Sequence, residues 1–287
     1  MEPQENPGES RAYTALKEMF QGGRPLVFVR TSEEGRVYAL LRELADRLLP
    51  GRPPVWTWSL TAGLRHPDGR PPCMLAPQAL LDFILGQQEG GIFQLRDFHP
   101  FVVDDAAVRR RLRDLYAECL DTGKFVVITS PLPAVPEELS RQAALVELQT
   151  PDFEEMAGFL RVETDSMARR GAAVDSSGPA LDAMARALQG LTLDEASHAL
   201  RRALAVAGTL DTGALSALLD EKRLIVNRTG IVRHVADATH MEHVGGLETM
   251  KEWLLERKKL FLERDSLGEE IVPKGVLVMG VSGCGKS

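Results

Sequence analysis

Five short apolar runs punctuate the first half of the chain: "PLVFVRT" (25–31), "VWTWSL" (55–60), "GIFQLRD" (91–97), "KFVVITS" (124–130) and "ALVELQT" (144–150). Each is bounded by Gly, Pro or polar turn residues, as strands are. Runs such as Val126-Val127-Ile128 have no polar alternation, which suits strands buried on both faces. Helical patterns at 34–49, 77–88 and 105–120 separate the first four. Strands alternating with helices imply a parallel sheet with right-handed crossovers. Residues 24–150 therefore read as one α/β domain with a parallel five-stranded sheet.

A tail (1–10) and a helix ended by Gly22-Gly23 precede the sheet, so 1–23 form a leading segment. After Thr150 the strand signals stop. Residues 152–170, 178–189, 192–206 and 213–228 all have helical spacing. Pro151 and Asp152 open the first of these helices, and Thr192 with Glu195 makes a capping box. The stretch 151–212 reads as a helical lid subdomain and 213–229 as a helix leading out, with lid and linker together spanning 151–238. A last segment, 239–287, begins with a helix carrying Leu247, Met250, Leu254 and Phe261 on one stripe.

The composition is that of a soluble globular protein, with 44% hydrophobic and 26% charged residues. A net charge of −7 argues against the field of a nucleic-acid binder. The three cysteines include no C-x-x-C pair, the N-terminus has no apolar signal region, and no run approaches a membrane span. Together these predict a cytoplasmic protein with no membrane partner.

The most specific motif lies at the end of the chain. A strand at Gly275–Met279 runs into Gly280-Val281-Ser282-Gly283-Cys284-Gly285-Lys286-Ser287, which fits G-x-x-x-x-G-K-[ST]. In such a loop backbone N–H groups cup the phosphates, the lysine reaches the β/γ-phosphates and the hydroxyl ligates Mg²⁺. ATP and Mg are the cofactors this implies, with Ser287 on the metal. The helix that should follow the loop lies beyond Ser287, so the chain is expected to be part of a longer protein. With no such helix and no neighbouring strand, residues 275–287 are expected to exchange their amides freely.

"HVGGL" and an amphipathic helix precede this loop by about thirty residues. That arrangement resembles the AAA+ ATPases, and by resemblance Val244, Gly245 and Gly246 would line the adenine. The region "MEHVGGLETMKEWLLERKKLFLERDSLG…PKGVLVMGVSGCGKS" is similar to an AAA+ family found in bacteria and as a reading frame of algal plastid genomes. "VFVRTSEEGRVYALL", "VWTWSLTAGL", "FQLRDFHPF" and "GLTLDEASHAL" extend the resemblance to nearly the whole chain from residue 24. The resemblance implies a degenerate, AAA+-like P-loop-type front domain with its lid, followed by the first helix and strand of a second, active module. It implies Mg-dependent ATP hydrolysis in the intact protein, remodelling of a partner protein and homo-oligomeric assembly.

Within the front domain, 25–31 would then be the P-loop strand, "GIFQLRD" the Walker B strand ending in Asp97, and "KFVVITS" the sensor strand ending in Thr129 and Ser130. No glycine loop or lysine follows the first strand. Thr31-Ser32-Glu33-Glu34 stands there, which predicts a capping box from Thr31 to Glu34 and negative charge where a phosphate would sit. Phe98 stands where an active ATPase needs a glutamate. The front domain is thus expected to bind nucleotide weakly or not at all.

The chain holds no complete catalytic set and is expected to hydrolyse no ATP by itself. The alternative reading is a non-catalytic interaction or oligomerisation module. A kinase or GTPase is disfavoured by the region before the P-loop.

Other features have plainer readings. Arg109, Arg110, Arg111 and Arg113 could contact phosphates, but Asp105–Arg109 and Arg110–Asp114 pairs on a solvated helix face account for them. His240 and His243 have H-x-x-H spacing with no third metal ligand placed by the sequence. Trp56, Trp58 and Phe98 read as core or interface.

Overall fold

Ser10 opens the first described helix, its Oγ accepting from the Tyr13 amide at 3.2 Å. The computed structural model describes residues 10–120, 122–132, 135–228 and 246–262. Helix α1 (Arg11–Gln21) ends at Gly22, whose amide returns to the Glu18 carbonyl. Strand β1 (Leu26–Arg30) leads to α2 (Glu34–Arg47) and β2 (Val55–Ser59). A short β3 (Gly63–Arg65) turns back on β2. Helix α3 (Pro77–Gly86), β4 (Gly91–Arg96), α4 (His99–Asp104), α5 (Ala106–Cys119), β5 (Lys124–Ser130) and β6 (Ala144–Glu147) complete the first half.

The sheet has the order β3-β2-β4-β5-β1-β6. All neighbours are parallel except β3 on β2, which is antiparallel. The five apolar runs are thus the five parallel strands. The sixth strand, β3, has three residues and carries no apolar run of its own. It forms because Gly63 takes φ +65°, which lets the chain double back, and because Ser59 Oγ accepts from the Ala62 amide at 3.1 Å.

Side chains alternate across each strand, so one strand feeds two cores. Leu26, Phe28, Phe93, Leu95, Val126 and Ile128 pack against α3, α4 and α5. Val27, Val29, Ile92 and Val127 pack against α1 and α2. Each fully buried Leu or Ile in these layers contributes about 1.5–3 kcal/mol. Trp58 and Phe98 are fully buried in the first core with ring centroids 5.3 Å apart. Half-buried Trp56 packs against the same core. The expectation that these aromatics are packing residues holds.

The chain then turns helical: α6 (Phe153–Arg169), α7 (Gly178–Leu188), α8 (Leu193–Ala207) and α9 (Leu215–Arg228). Met156, Leu160, Leu181, Met184, Leu188 and Leu200 form their shared core. Two-residue strands β7 (Ala173–Val174) and β8 (Thr209–Leu210) clip the loops between them. Capping boxes start α6 (Asp152 with Glu155) and α8 (Thr192 with Glu195).

Residues 1–232 form one unit and 233–287 another. In the second, α10 (Glu248–Leu262) follows Gly246 at φ +69° and Leu247 at φ +62°. Gly246 thus has a left-handed backbone just before a helix. Val244, Gly245, the strand at 275–279, Gly280–Ser287, His240 and His243 lie outside the described residues. No described helix is long and apolar enough to cross a membrane.

Candidate functional site

The start of α2, just after β1, meets the lid, and in a nucleotidase this helix start would hold phosphate. Glu33 stands at the N-cap of α2 but makes no side-chain cap bond to its own helix. Its carboxylate points away instead. Oε2 takes Arg36 Nη1 at 3.1 Å, and Oε1 accepts from the Leu193 amide at 2.7 Å. Leu193 is the first residue of α8, so Glu33 satisfies one of that helix's orphan donors and sits at its positive end.

Arg36 joins α6, the first lid helix. Its Nη2 donates to Glu155 Oε2 at 2.7 Å, its Nε to Oε1 at 3.4 Å, and its Nη1 to the Gln149 carbonyl at 2.6 Å. The Arg36 and Glu33 side chains are only 4% and 5% exposed. Glu155 is also the return arm of the α6 capping box, accepting from the Asp152 amide at 3.3 Å. The N-termini of α6 and α8 are thus both clasped to the start of α2.

The capping box expected between Thr31 and Glu34 is not formed. Thr31 Oγ1 accepts from the Glu33 amide at 3.0 Å, and the helix starts at Glu34, two positions too late for Thr31 to be its N-cap. The Glu34 side chain lies toward Arg96, with Arg96 Nε 3.5 Å from Glu34 Oε2. Burial pushes the Glu34 carboxyl above its ordinary value against the pull of Arg96, and Asp97 adds to the rise. Gln94, buried in β4, donates to the Glu34 carbonyl at 2.9 Å and ties the helix start to the sheet.

Glu33, Glu34, Glu155 and Asp97 thus face Arg36 and Arg96 here. A triphosphate would meet four carboxylates against two guanidiniums, and the residues present do not fit one. The expected negative charge is there, with Glu33 bonded to the lid and Glu34 turned to Arg96.

Asp97 is exposed, at φ +50°, and its amide donates to the Thr129 carbonyl at 2.9 Å. Thr129 Oγ1 is buried without a hydrogen-bond partner. Asp97, His99 and Ser130 invite comparison with a hydrolase triad, which their geometry rejects. Ser130 Oγ, at 2.9 Å, and Asp97 Oδ1, at 4.0 Å, both approach the same imidazole nitrogen, Nδ1. A relay needs the base between the two, one on each nitrogen. Ser130 Oγ also donates to the Leu132 carbonyl at 3.1 Å.

The arginine run is largely paired, though not all as expected. Arg110 meets Asp114 at 2.6 Å, four residues on. Arg109 reaches Glu138 at 3.1 Å instead of Asp105, because Asp105 caps α5 through the Ala107 and Val108 amides. Arg111 meets Asp82 at 2.6 Å on α3. No group of three metal-ligating side chains occurs among the described residues.

Sequence reading missed Arg36 and Glu155. Arg36 carried a signal: it falls at i, i+4, i+8 with Leu40 and Leu44 on the buried stripe of α2. A charge on such a stripe requires a buried partner.

A family model described as "SpoVK-like AAA ATPase, N-terminal domain" matches residues 12–148, and one described as "SpoVK-like AAA ATPase, second domain" matches residues 154–229. The chain belongs to the SpoVK-like AAA ATPases. The two matches meet between β6 and α6, where the sheet gives way to the lid. Among relatives of this SpoVK-like chain, an uncharacterized AAA domain-containing protein ycf46 of Trieres chinensis is 26% identical over 266 residues, 92% of this chain and 52% of its own. The ycf46 protein of Guillardia theta is 26% identical over 275 residues, 95% and 53%. The chain spans about half the length of the curated relatives it matches. Among solved structures, C. elegans PCH-2 is similar with a TM-score of 0.49 and 14% identity, over 76% of this chain and 68% of that one.

Proposed function

We infer that the first 238 residues are a nucleotidase fold converted to a structural module, and that residues 239–287 open an ATPase module. The observation that carries this reading is the Glu33 carboxylate bonded to the Leu193 amide at the helix start after β1. A P-loop enzyme keeps that helix start free for phosphate. Here an acidic residue stands at that helix start and its carboxylate is turned to the lid. Phe98, buried against Trp58, gives the β4 end no carboxylate to orient water.

In the complete protein, Gly280–Ser287 would cradle the phosphates of ATP, Lys286 would bind the β/γ-phosphates and Ser287 would ligate Mg²⁺. Val244, Gly245 and Gly246 would frame the adenine. Hydrolysis would drive remodelling of a partner protein by a homo-oligomer in the cytoplasm. Family membership supports the ATPase reading.

The test is calorimetry of the 287-residue chain with Mg-ATP, beside Lys286→Ala. Mg-ATP binding at Gly280–Ser287 is expected to be lost in Lys286→Ala. Binding that survives this change but is lost on Glu33→Lys would assign nucleotide to the front domain and overturn the reading.

A further inference from the structure

Helix α2 covers the centre of the sheet and leaves the β2–β3 end of the same face open. A groove of about 630 Å³ lies there, with Tyr38, Thr57, Arg65, His66, Arg70 and Arg96 among its lining residues. No Asp or Glu lines it. Arginines elsewhere on the same domain find carboxylates, as Arg109, Arg110 and Arg111 do. In the groove Arg65 departs from that pattern. Arg65 has no ion-pair partner among the described residues. Arg96 is ion-paired with Glu34 at 3.5 Å through a buried Nε that makes no hydrogen bond. Arg70, at the rim, is held through its Nε by Asp68 at 2.6 Å, and that pair does not use its terminal nitrogens.

The wall that carries Arg65 and Arg70 is preformed. Leu64 and Cys73 exchange both backbone bonds, at 2.8 and 2.9 Å, and close the loop between them. Inside it Asp68 Oδ1 accepts from the Arg70 amide at 3.1 Å, and the Gly69 amide bonds the His66 carbonyl at 3.3 Å. Pro67, Pro71 and Pro72 stiffen the remainder. At Gly63 a Cβ would lie 2.6 Å from the Cys73 carbonyl oxygen, so the close approach that shapes the wall requires glycine. Little ordering cost remains to be met on binding.

We propose that this groove binds a small polyanion, a metabolite-sized molecule carrying two or more phosphate or carboxylate groups. Guanidinium forks match both oxyanions in bidentate geometry. Arg65 binds the charged groups with Arg70 at the rim, Arg96 adds a cation that it shares with Glu34, and Tyr38 with Val55 supplies an apolar side for the ligand body. The volume is that of a small-molecule site. None of these residues belongs to the Glu33–Arg36 clasp or to Gly280–Ser287, so the inference does not rest on the ATPase reading.

The experiment uses the 287-residue chain carrying Lys286→Ala, which removes the C-terminal loop as a phosphate binder. Pyrophosphate and citrate are titrated calorimetrically in separate arms to distinguish a phosphate from a carboxylate ligand. At least one is expected to bind, with an affinity that falls at least about tenfold in Arg65→Ala/Arg70→Ala and with added salt. Arg65→Glu, an exposed change that leaves the α2 start untouched, is expected to abolish binding with the unfolding midpoint unchanged. Absence of binding by both anions at millimolar concentration, or binding indifferent to both arginine variants, overturns the proposal.

Discussion

The Leu193 amide donates to Glu33 Oε1 at 2.7 Å across 160 positions of sequence. One carboxylate thereby joins the helix after the first strand to the third helix of the lid. Arg36 extends the joint to Glu155 on the first lid helix at 2.7 Å. In a buried cluster of this kind, removal of one member leaves the others charged and dry.

Arg36→Met is therefore expected to cost about 3–5 kcal/mol, since it strands Glu33, Glu155 and the Gln149 carbonyl together. Urea unfolding measures it. In Glu33→Gln/Arg36→Met the loss should be smaller than the sum of the two single losses, because one of the two stranded charges is gone. A strictly additive cycle would show that the two side chains are not energetically coupled.

The chain should turn over no ATP above background. Phosphoryl transfer needs a positioned water and its orienting group, and the equivalent position after β4 is Phe98, with no exposed surface. A coupled phosphate-release assay on wild type and Lys286→Ala checks this. Turnover that disappears in the variant refutes it.

Glu34 gives a pH dependence whose sign can be worked out. Its folded pKa lies above the ordinary value of 4.5, so the folded state holds the proton more tightly than the unfolded state. Its contribution is fully present below that value and is lost as pH rises through the folded pKa. Glu34→Gln should remove this component, so its stability relative to wild type should rise from pH 4 to pH 7. Unfolding midpoints across that range test the sign, and an unchanged difference would rule it out.

Cys73 and Cys119 should differ in reactivity. Cys73 is exposed. Burial pushes the Cys119 thiol up to about 11, with Lys124 opposing and Glu118 adding. The thiolate is the reactive form. Iodoacetamide at pH 8 should label Cys73 in the folded chain, and Cys119 only after denaturation. Peptide mass spectrometry reads both sites. Equal labelling in the folded state would contradict the burial of Cys119.

The five parallel strands and the helices after Thr150 were legible because their signals are local. An uninterrupted apolar run such as Phe125–Ile128 has to be covered on both sides wherever it goes, and Asp152 or Thr192 caps its helix with partners three residues away. The absence of a glycine loop after β1 was equally plain. The carboxylates at 33 and 34 were visible as charge, but where they point was decided by distant chain. Glu33 meets Leu193, and Glu34 meets Arg96. Local pattern favoured a Thr31 capping box, whereas Gln94 and Arg96 draw the helix start elsewhere.

Strand β3 and the arginine groove were hidden for a related reason. Three residues carry too little periodicity to announce a strand, and the cations at 65, 70 and 96 come together only when β3 pairs with β2 beside the end of β4. The sequence by itself determined which segments are strands and helices, because hydrophobic period and caps act over a few residues. Only the tertiary structure decided the partner of each charge, because a buried ion is satisfied by whatever the fold brings within about 3 Å of it.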